Sequence, residues 1–136
     1  MPTERAMKEI IEVPVISETI RKTGVPLSPV VRANGFVFVS GLPGIDLATG
    51  KIVQGGIEAQ TEASLAAVKH ALEAAGSSLD KVVKVTIYAS NSAWFAKINA
   101  VYARHFGGAA PPARTFVAVG SWPLEFDIEI ECVALA

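Results

Sequence analysis

The chain has 136 residues and a mass of 14.3 kDa, which suffices for one hydrophobic core, so residues 1–136 are predicted to form a single domain. Its 12 basic and 13 acidic residues give a formal net charge of −1 without a basic stripe, which argues against nucleic acid as the main ligand. The mean hydropathy is +0.41. No uncharged apolar run approaches the ~20 residues of a membrane helix, so the chain is not expected to span a membrane.

The start of the chain and its few cysteines and histidines bear on secretion, disulfide bonds and metal binding. Residues 1–5 are charged and lead into no apolar segment, so no secretory signal is predicted and we expect a cytoplasmic protein. Cys132 is the only cysteine, which excludes an internal disulfide. Because His70 and His105 lie far apart without the spacing of metal ligands, we expect neither a metal site nor a cofactor.

The first part of the chain predicts a strand and then an irregular connection. Residues 8–13 are rich in β-branched side chains and end at Pro14, which favours a strand over a helix. Residues 17–29 contain one glycine and two prolines, which favour an irregular segment.

A β-hairpin and a long loop come next. Residues 36–40 form an apolar strand directly after the turn pair Asn34-Gly35, and residues 30–32 are its predicted hairpin partner. Residues 41–56 contain five glycines and a proline, so we expect a loop there, with a small turn at residues 46–50.

The remaining elements follow from periodicity. Residues 57–75 repeat apolar side chains at helical spacing, and Gly76 stands where a glycine would end that helix. Residues 82–89 alternate as a strand does. Asn91 or Ser92 is then expected to cap a second helix, which ends at the pair Gly107-Gly108.

Two further strands, at residues 114–119 and 127–134, complete a predicted α+β fold. We expect a single sheet with two helices packed on one of its faces. The other face would then expose apolar side chains of the central strands. The high apolar content, 51% of residues, predicts that sibling subunits cover that face.

Charged residues on the last two strands are the candidates for chemistry. Glu129 and Glu131 alternate with isoleucines and project to the same side, with Asp127 adding a third carboxylate nearby. Such a face is commonly just solvated, whereas a buried carboxylate would need a partner or a raised pKa. Arg114 follows a proline-rich turn and opens a strand, a position from which a guanidinium can bind a carboxylate through two parallel hydrogen bonds.

With these residues in place, nearly the whole chain resembles the reactive intermediate deaminases. They are also called the Rid or YjgF family and are often labelled L-PSP endoribonuclease or translation initiation inhibitor. The matching segments are residues 35–41, 57–61, 72–86, 99–102, 111–114 and 128–131.

The resemblance implies a chorismate-mutase-like fold assembled as a homotrimer, with clefts between adjacent subunits. By motif, Arg114 would bind the substrate carboxylate and Glu129 would hold or activate a water. The cleft-lining positions that the resemblance implies are Ser40, Gly41, Leu42, Phe95 and Asn99. The implied activity is hydrolysis of a small enamine or imine that bears a carboxylate, giving a 2-oxo acid and ammonia without a metal.

Two positions depart from the family pattern. Leu27 stands where the archetypal members have a tyrosine, and Phe116 follows Thr115 where they carry a small residue after a serine. Both changes make the implied cleft more apolar and leave the identity of the imine open. Two other functions remain as alternatives: a non-catalytic protein that binds a small metabolite carboxylate, and the ribonuclease of some family labels, against which the near-neutral charge counts.

Overall fold

The computed structural model describes residues 7–136, so the charged start at residues 1–5 lies outside the described residues. The chain forms six strands and three α-helices in this part. The strands are β1 (Glu9–Ile11), β2 (Val30–Ala33), β3 (Phe36–Leu42), β4 (Val82–Ala89), β5 (Ala113–Ala118) and β6 (Ile128–Leu135). The helices are α1 (Ile16–Thr23), α2 (Ile57–Ala74) and α3 (Phe95–Phe106), with short 3-10 turns at Leu79–Lys81 and Ser92–Trp94.

All six strands form one sheet in the order β1-β2-β3-β6-β4-β5. Every pairing is antiparallel except β4 with β5, which is parallel because α3 carries the chain back across the sheet. The predicted hairpin joins β2 to β3 through Asn34 and Gly35, whose φ angles of 51° and 81° suit a tight turn between strands.

Helices α2 and α3 pack on one face of the sheet and bury the core between them. The core-facing strand residues alternate with half-buried ones, as in β6, where Ile128, Ile130, Cys132 and Ala134 are all buried. Helix α2 ends as predicted, because Gly76 follows it with φ 78°. Asn91 accepts a hydrogen bond from the backbone N–H of Ala93 at 2.9 Å, so it caps the turn that leads into α3. The predicted α+β sheet with two helices on one face is therefore confirmed.

The prediction of an irregular connection at residues 17–29 is wrong for its first half, where α1 forms. The helix starts after a γ-turn in which the N–H of Ile16 donates to Pro14 O at 2.8 Å and Val15 adopts φ 70° and ψ −53°. Ile16 is fully buried, and Gly24 ends the helix in the left-handed conformation. Packing against the core stabilises this short helix, although its local sequence predicts none. The described residues therefore form three helices where two were predicted.

The face of the sheet opposite α2 and α3 exposes apolar side chains. On neighbouring strands Phe36 pairs with Leu135 and Phe38 pairs with Val133, and Phe36, Phe38 and Leu135 are 39%, 44% and 47% exposed. We call this surface the open face. Within residues 7–136, no helix is both long and apolar enough to cross a membrane.

Candidate active site

Arg114 lies on the helix-covered side of the sheet. It occupies edge strand β5 in register with Val85 of β4, which is buried under the helices. Its guanidinium donates a hydrogen bond to Asn99 Oδ1 on α3 at 2.5 Å. The guanidinium carbon also lies 4.8 Å from the ring centroid of Tyr102 and 5.5 Å from that of Phe95. Three side chains of one helix thus fix the direction of the cation.

This cation is available to an anionic ligand. The ion pairs found among residues 7–136 involve Arg21, Arg32, Arg104 and His105, but not Arg114. A guanidinium carries five N–H donors, of which the contact with Asn99 uses one. The remaining donors can form a two-point hydrogen bond with a carboxylate.

Aromatic side chains complete the surroundings of Arg114. The Phe95 and Phe116 rings meet edge to face with centroids 5.0 Å apart, and Phe95 remains 45% exposed. Tyr102 of α3 is buried beneath the guanidinium. Sequence reasoning missed its contact with Arg114, although helical spacing already placed it on the same stripe as Phe95 and near Asn99. We call Phe95, Asn99, Arg114 and Phe116 the arginine cluster.

Glu129 lies on the open face, on the opposite side of the sheet from Arg114. It pairs with Tyr88 of β4, which is three residues from Val85, the partner of Arg114. Because side chains alternate along a strand, an odd separation reverses the face. Burial raises the pKa of the Glu129 carboxyl above its ordinary value of 4.5. The negative charge of Glu131 adds to this rise and a hydrogen bond from the Trp122 side chain opposes it.

Gly41 gives the Glu129 carboxylate the space that it occupies. A Cβ atom built on Gly41 would lie 2.6 Å from Glu129 Oε1, far inside ordinary contact distance. A β-bulge between Val39 and Leu42 places this glycine beside the carboxylate. Any larger residue at position 41 would displace one of the two groups.

The other carboxylates near Glu129 differ in their partners. Glu131 accepts a hydrogen bond from the Tyr88 hydroxyl, which raises the pKa of Tyr88 to about 12 and keeps it a donor. Asp127 was predicted to add a third carboxylate to this strand face. Instead its oxygens accept hydrogen bonds from Gln60 Nε2 at 3.2 Å and from Ser90 Oγ at 3.0 Å. That polar network diverts Asp127 from the face that Glu129 and Glu131 share.

Glu129 borders a cavity of about 180 Å³ together with Leu27, Gly41 and Leu42. Ser40 is next in the chain, and its hydroxyl donates to Ser28 O at 2.7 Å, which ties β3 to the segment that carries Leu27. We call Leu27, Ser40, Gly41, Leu42 and Glu129 the glutamate cluster.

The nine predicted site residues therefore form two clusters, and one chain does not bring the clusters together. The arginine cluster faces α3 at the β5 edge, whereas the glutamate cluster surrounds the end of β3, where the Glu129 carboxylate lies on the open face. Within residues 7–136, no group of three or more His, Cys, Asp or Glu side chains is placed to hold a metal ion.

Comparison with known proteins identifies the family. The residue pattern of the family described as endoribonuclease L-PSP matches residues 19–136. The chain belongs to this family. A RutC family protein of Pyrococcus horikoshii is 44% identical over 94% of this chain and 98% of its own length. Reactive Intermediate Deaminase A, chloroplastic, of Arabidopsis thaliana is 41% identical over 80% of this chain and 58% of its own length.

Solved structures of the family share the fold. The crystal structure of E. coli TdcF with bound serine superposes with a TM-score of 0.76 at 32% identity, covering 82% of this chain and 89% of that one. The predicted resemblance to the Rid family is thus confirmed.

Proposed function

We propose that the chain is a metal-free hydrolase that deaminates small enamines or imines bearing a carboxylate, and that each active site combines two copies of the chain. The observation that carries this proposal is the separation of Arg114 and Glu129 on opposite faces of one sheet. Each cluster holds half of the chemistry: a cation for the carboxylate and a base for water.

The open face supplies the reason for a second copy. Its exposed phenylalanines and Leu135 form a contiguous apolar surface on β3 and β6, and a surface of that kind indicates a protein interface. Closed threefold symmetry is the expectation from the family resemblance, and it lets every copy give its arginine cluster to one neighbour and its glutamate cluster to the other.

The proposed reaction requires orientation and proton transfer. An enamine of a 2-amino acid tautomerises to the imine, which takes up a proton from solvent to form the iminium with its electrophilic carbon. Arg114 fixes the carboxylate beside that carbon. Glu129 takes a proton from water as the new C–O bond forms. It then gives that proton to the nitrogen, and as the C–N bond breaks and the C=O bond forms, the hydroxyl proton passes to the departing ammonia. The products are a 2-oxo acid and ammonium.

Two observations bear on the alternatives. The serine bound to E. coli TdcF favours a site that holds an amino-acid carboxylate, which a purely binding protein would also have. The family description names a ribonuclease, but three arginines of this chain, Arg21, Arg32 and Arg104, are engaged by glutamates. The 12 basic residues of the chain are balanced by 13 acidic ones and form no basic stripe that could neutralise a phosphate backbone.

A mixing experiment tests the two-copy site directly. Arg114→Ala and Glu129→Gln would each abolish most turnover of an imine that an amino-acid oxidase generates in situ. When the two variants are unfolded, mixed in equal amounts and refolded, about one site in four receives both native residues if each site draws on two copies of a cyclic oligomer. We expect ammonia release to recover to about that fraction of wild type.

The controls separate the possible results. Each variant refolded alone should stay inactive, and circular dichroism should show native secondary structure in both. If the refolded mixture releases no more ammonia than the single variants, the two-copy site is contradicted. Wild-type turnover in either single variant would remove that residue from the mechanism and favour the binding protein. Cleavage of RNA that survives both substitutions would point to the ribonuclease instead.

A further inference from the structure

The cavity beside Glu129 is lined mostly by apolar side chains, and the Glu129 carboxylate is the one charged group in its wall. Its walls come from α1, the segment after it, the loop after β3 and the loop before β6. The wall residues that matter here are Ile20, Val25, Leu27, Ile45, Leu124 and Phe126. Ile45 and Phe126 are buried, while Val25, Leu27 and Leu124 form a rim that is about half exposed.

The polar side chains in the wall have other partners. The Thr23 hydroxyl donates to Ile20 O at 2.6 Å, and the Thr19 hydroxyl donates to Gly50 O at 3.4 Å. None of the residues that line the cavity carries a positive charge. A charged or strongly polar group placed there would lose its hydration without a compensating partner.

The size of the cavity limits which ligand side chains can fill it. A dry protein cavity of roughly 150 Å³ accepts a benzene molecule, and this one measures about 180 Å³. A methyl group would leave most of the volume empty, whereas a branched four-carbon chain or a phenyl ring would fill it.

We propose that this cavity receives the side chain of the substrate and selects imines of medium-sized aliphatic or aromatic amino acids over those of alanine or serine. The proposal rests on the proposed function, because it places the reacting carbon beside Glu129 and the side chain in the adjoining cavity. Leu27 and Leu124 on the rim are then residues that determine specificity.

Two measurements test the selection. In the first, kcat/KM is compared for the imines of leucine and alanine, both formed in situ by an amino-acid oxidase. We expect a preference of about tenfold or more for the leucine imine, since one extra methylene in a fitted apolar pocket already contributes about tenfold. In the second, calorimetry compares binding of 4-methyl-2-oxopentanoate and pyruvate, which the enzyme does not turn over.

Matched variants tie the preference to the cavity. Leu124→Asn should reduce the ratio of kcat/KM for the leucine imine to that for the alanine imine about fivefold or more, whereas Leu124→Met should retain the preference. Val25→Thr, nearly equal in shape, gives the same test at a second position. Equal kcat/KM for both imines, or a preference that survives Leu124→Asn and Val25→Thr, would overturn the proposal.

The two readouts also separate this proposal from the proposed function. Selective binding of the larger 2-oxo acid without turnover of any imine supports the cavity and contradicts the deaminase. Turnover of both imines together with equal binding of both 2-oxo acids contradicts the cavity and supports the deaminase.

Discussion

The guanidinium of Arg114 combines a fixed direction with free hydrogen-bond donors. Asn99 and two aromatic rings of α3 hold it, and no carboxylate among residues 7–136 pairs with it. This arrangement suits an arginine that binds an anionic ligand, because an arginine used only for stability would gain from a permanent carboxylate partner.

Replacing Arg114 by lysine tests this role. Arg114→Lys keeps the charge but substitutes one flexible ammonium for a planar fork. A lost charged hydrogen bond is worth roughly 1.5–3 kcal/mol, so we expect kcat/KM to fall about tenfold or more while the fold is retained. Steady-state kinetics with one imine, with Lys97→Arg on exposed α3 surface as control, would check it. Unchanged kcat/KM would mean that Arg114 binds no carboxylate.

Glu129 should impose a pH dependence on turnover. A base must be ionised to accept a proton, so raising its pKa moves the acid limb of kcat/KM to higher pH. Glu131 contributes to the raised pKa from the same strand, and Trp122 lowers it through a hydrogen bond. The Tyr88 hydroxyl bonds to Glu131 from β4.

We therefore expect the acid limb of the wild type above pH 4.5, the ordinary value for a glutamate. Glu131→Gln removes a like charge and should move the limb to lower pH, whereas Glu73→Gln on the exposed side of α2 should not. A pH profile of kcat/KM for the three proteins measures this. An identical limb in the Glu131→Gln variant would show that Glu129 does not control it.

Among the elements, α1 is the one that local sequence did not reveal. It has only eight residues, it follows a proline, and its first turn depends on a γ-turn at Val15. The fully buried Ile16 anchors it to the core. A helix this short is marginal in isolation and gains its stability from packing.

Truncating the Ile16 side chain should lower the free energy of unfolding much more than a substitution on the exposed side of the same helix. Ile16→Ala should lower the free energy of unfolding by about 2–5 kcal/mol, the usual range for a buried isoleucine. Glu18→Ala, on the exposed side of α1, should change it by no more than about 0.5 kcal/mol. Urea unfolding at one fixed protein concentration compares them. Equal effects of the two substitutions would contradict the packing of α1 on the core.

At the scale of the whole molecule, the proposed two-copy site requires that a second chain cover the open face. We predict a homotrimer, with a mass by light scattering of three times the 14.3 kDa of one chain. Phe38 is 44% exposed in the middle of this face. Phe38→Asp should dissociate the assembly and abolish turnover together, because burying a carboxylate without a partner is costly.

Phe38→Leu serves as the matched control, since it keeps an apolar side chain at the same place. It should retain both mass and turnover. A monomeric wild type at micromolar concentration, or a monomeric Phe38→Asp variant with full activity, would contradict the two-copy site.

The sequence by itself determined most of the elements. Alternation and helical spacing are local properties, so the six strands, α2, α3 and the Asn34-Gly35 turn were predicted within a few residues. The residues of both clusters were also named from sequence, but through the family resemblance, because Arg114 and Glu129 taken singly resemble ordinary surface charges.

Only the tertiary structure decided how these residues are grouped. The side of the sheet on which a residue lies depends on pairing register between distant strands, and a shift of one residue reverses it. The register through β4 places Arg114 and Glu129 on opposite faces, and contacts with Gln60 and Ser90 divert Asp127. Long-range strand pairing has no local periodicity in the sequence, which is why only the fold showed that Arg114 and Glu129 lie on opposite faces of the sheet.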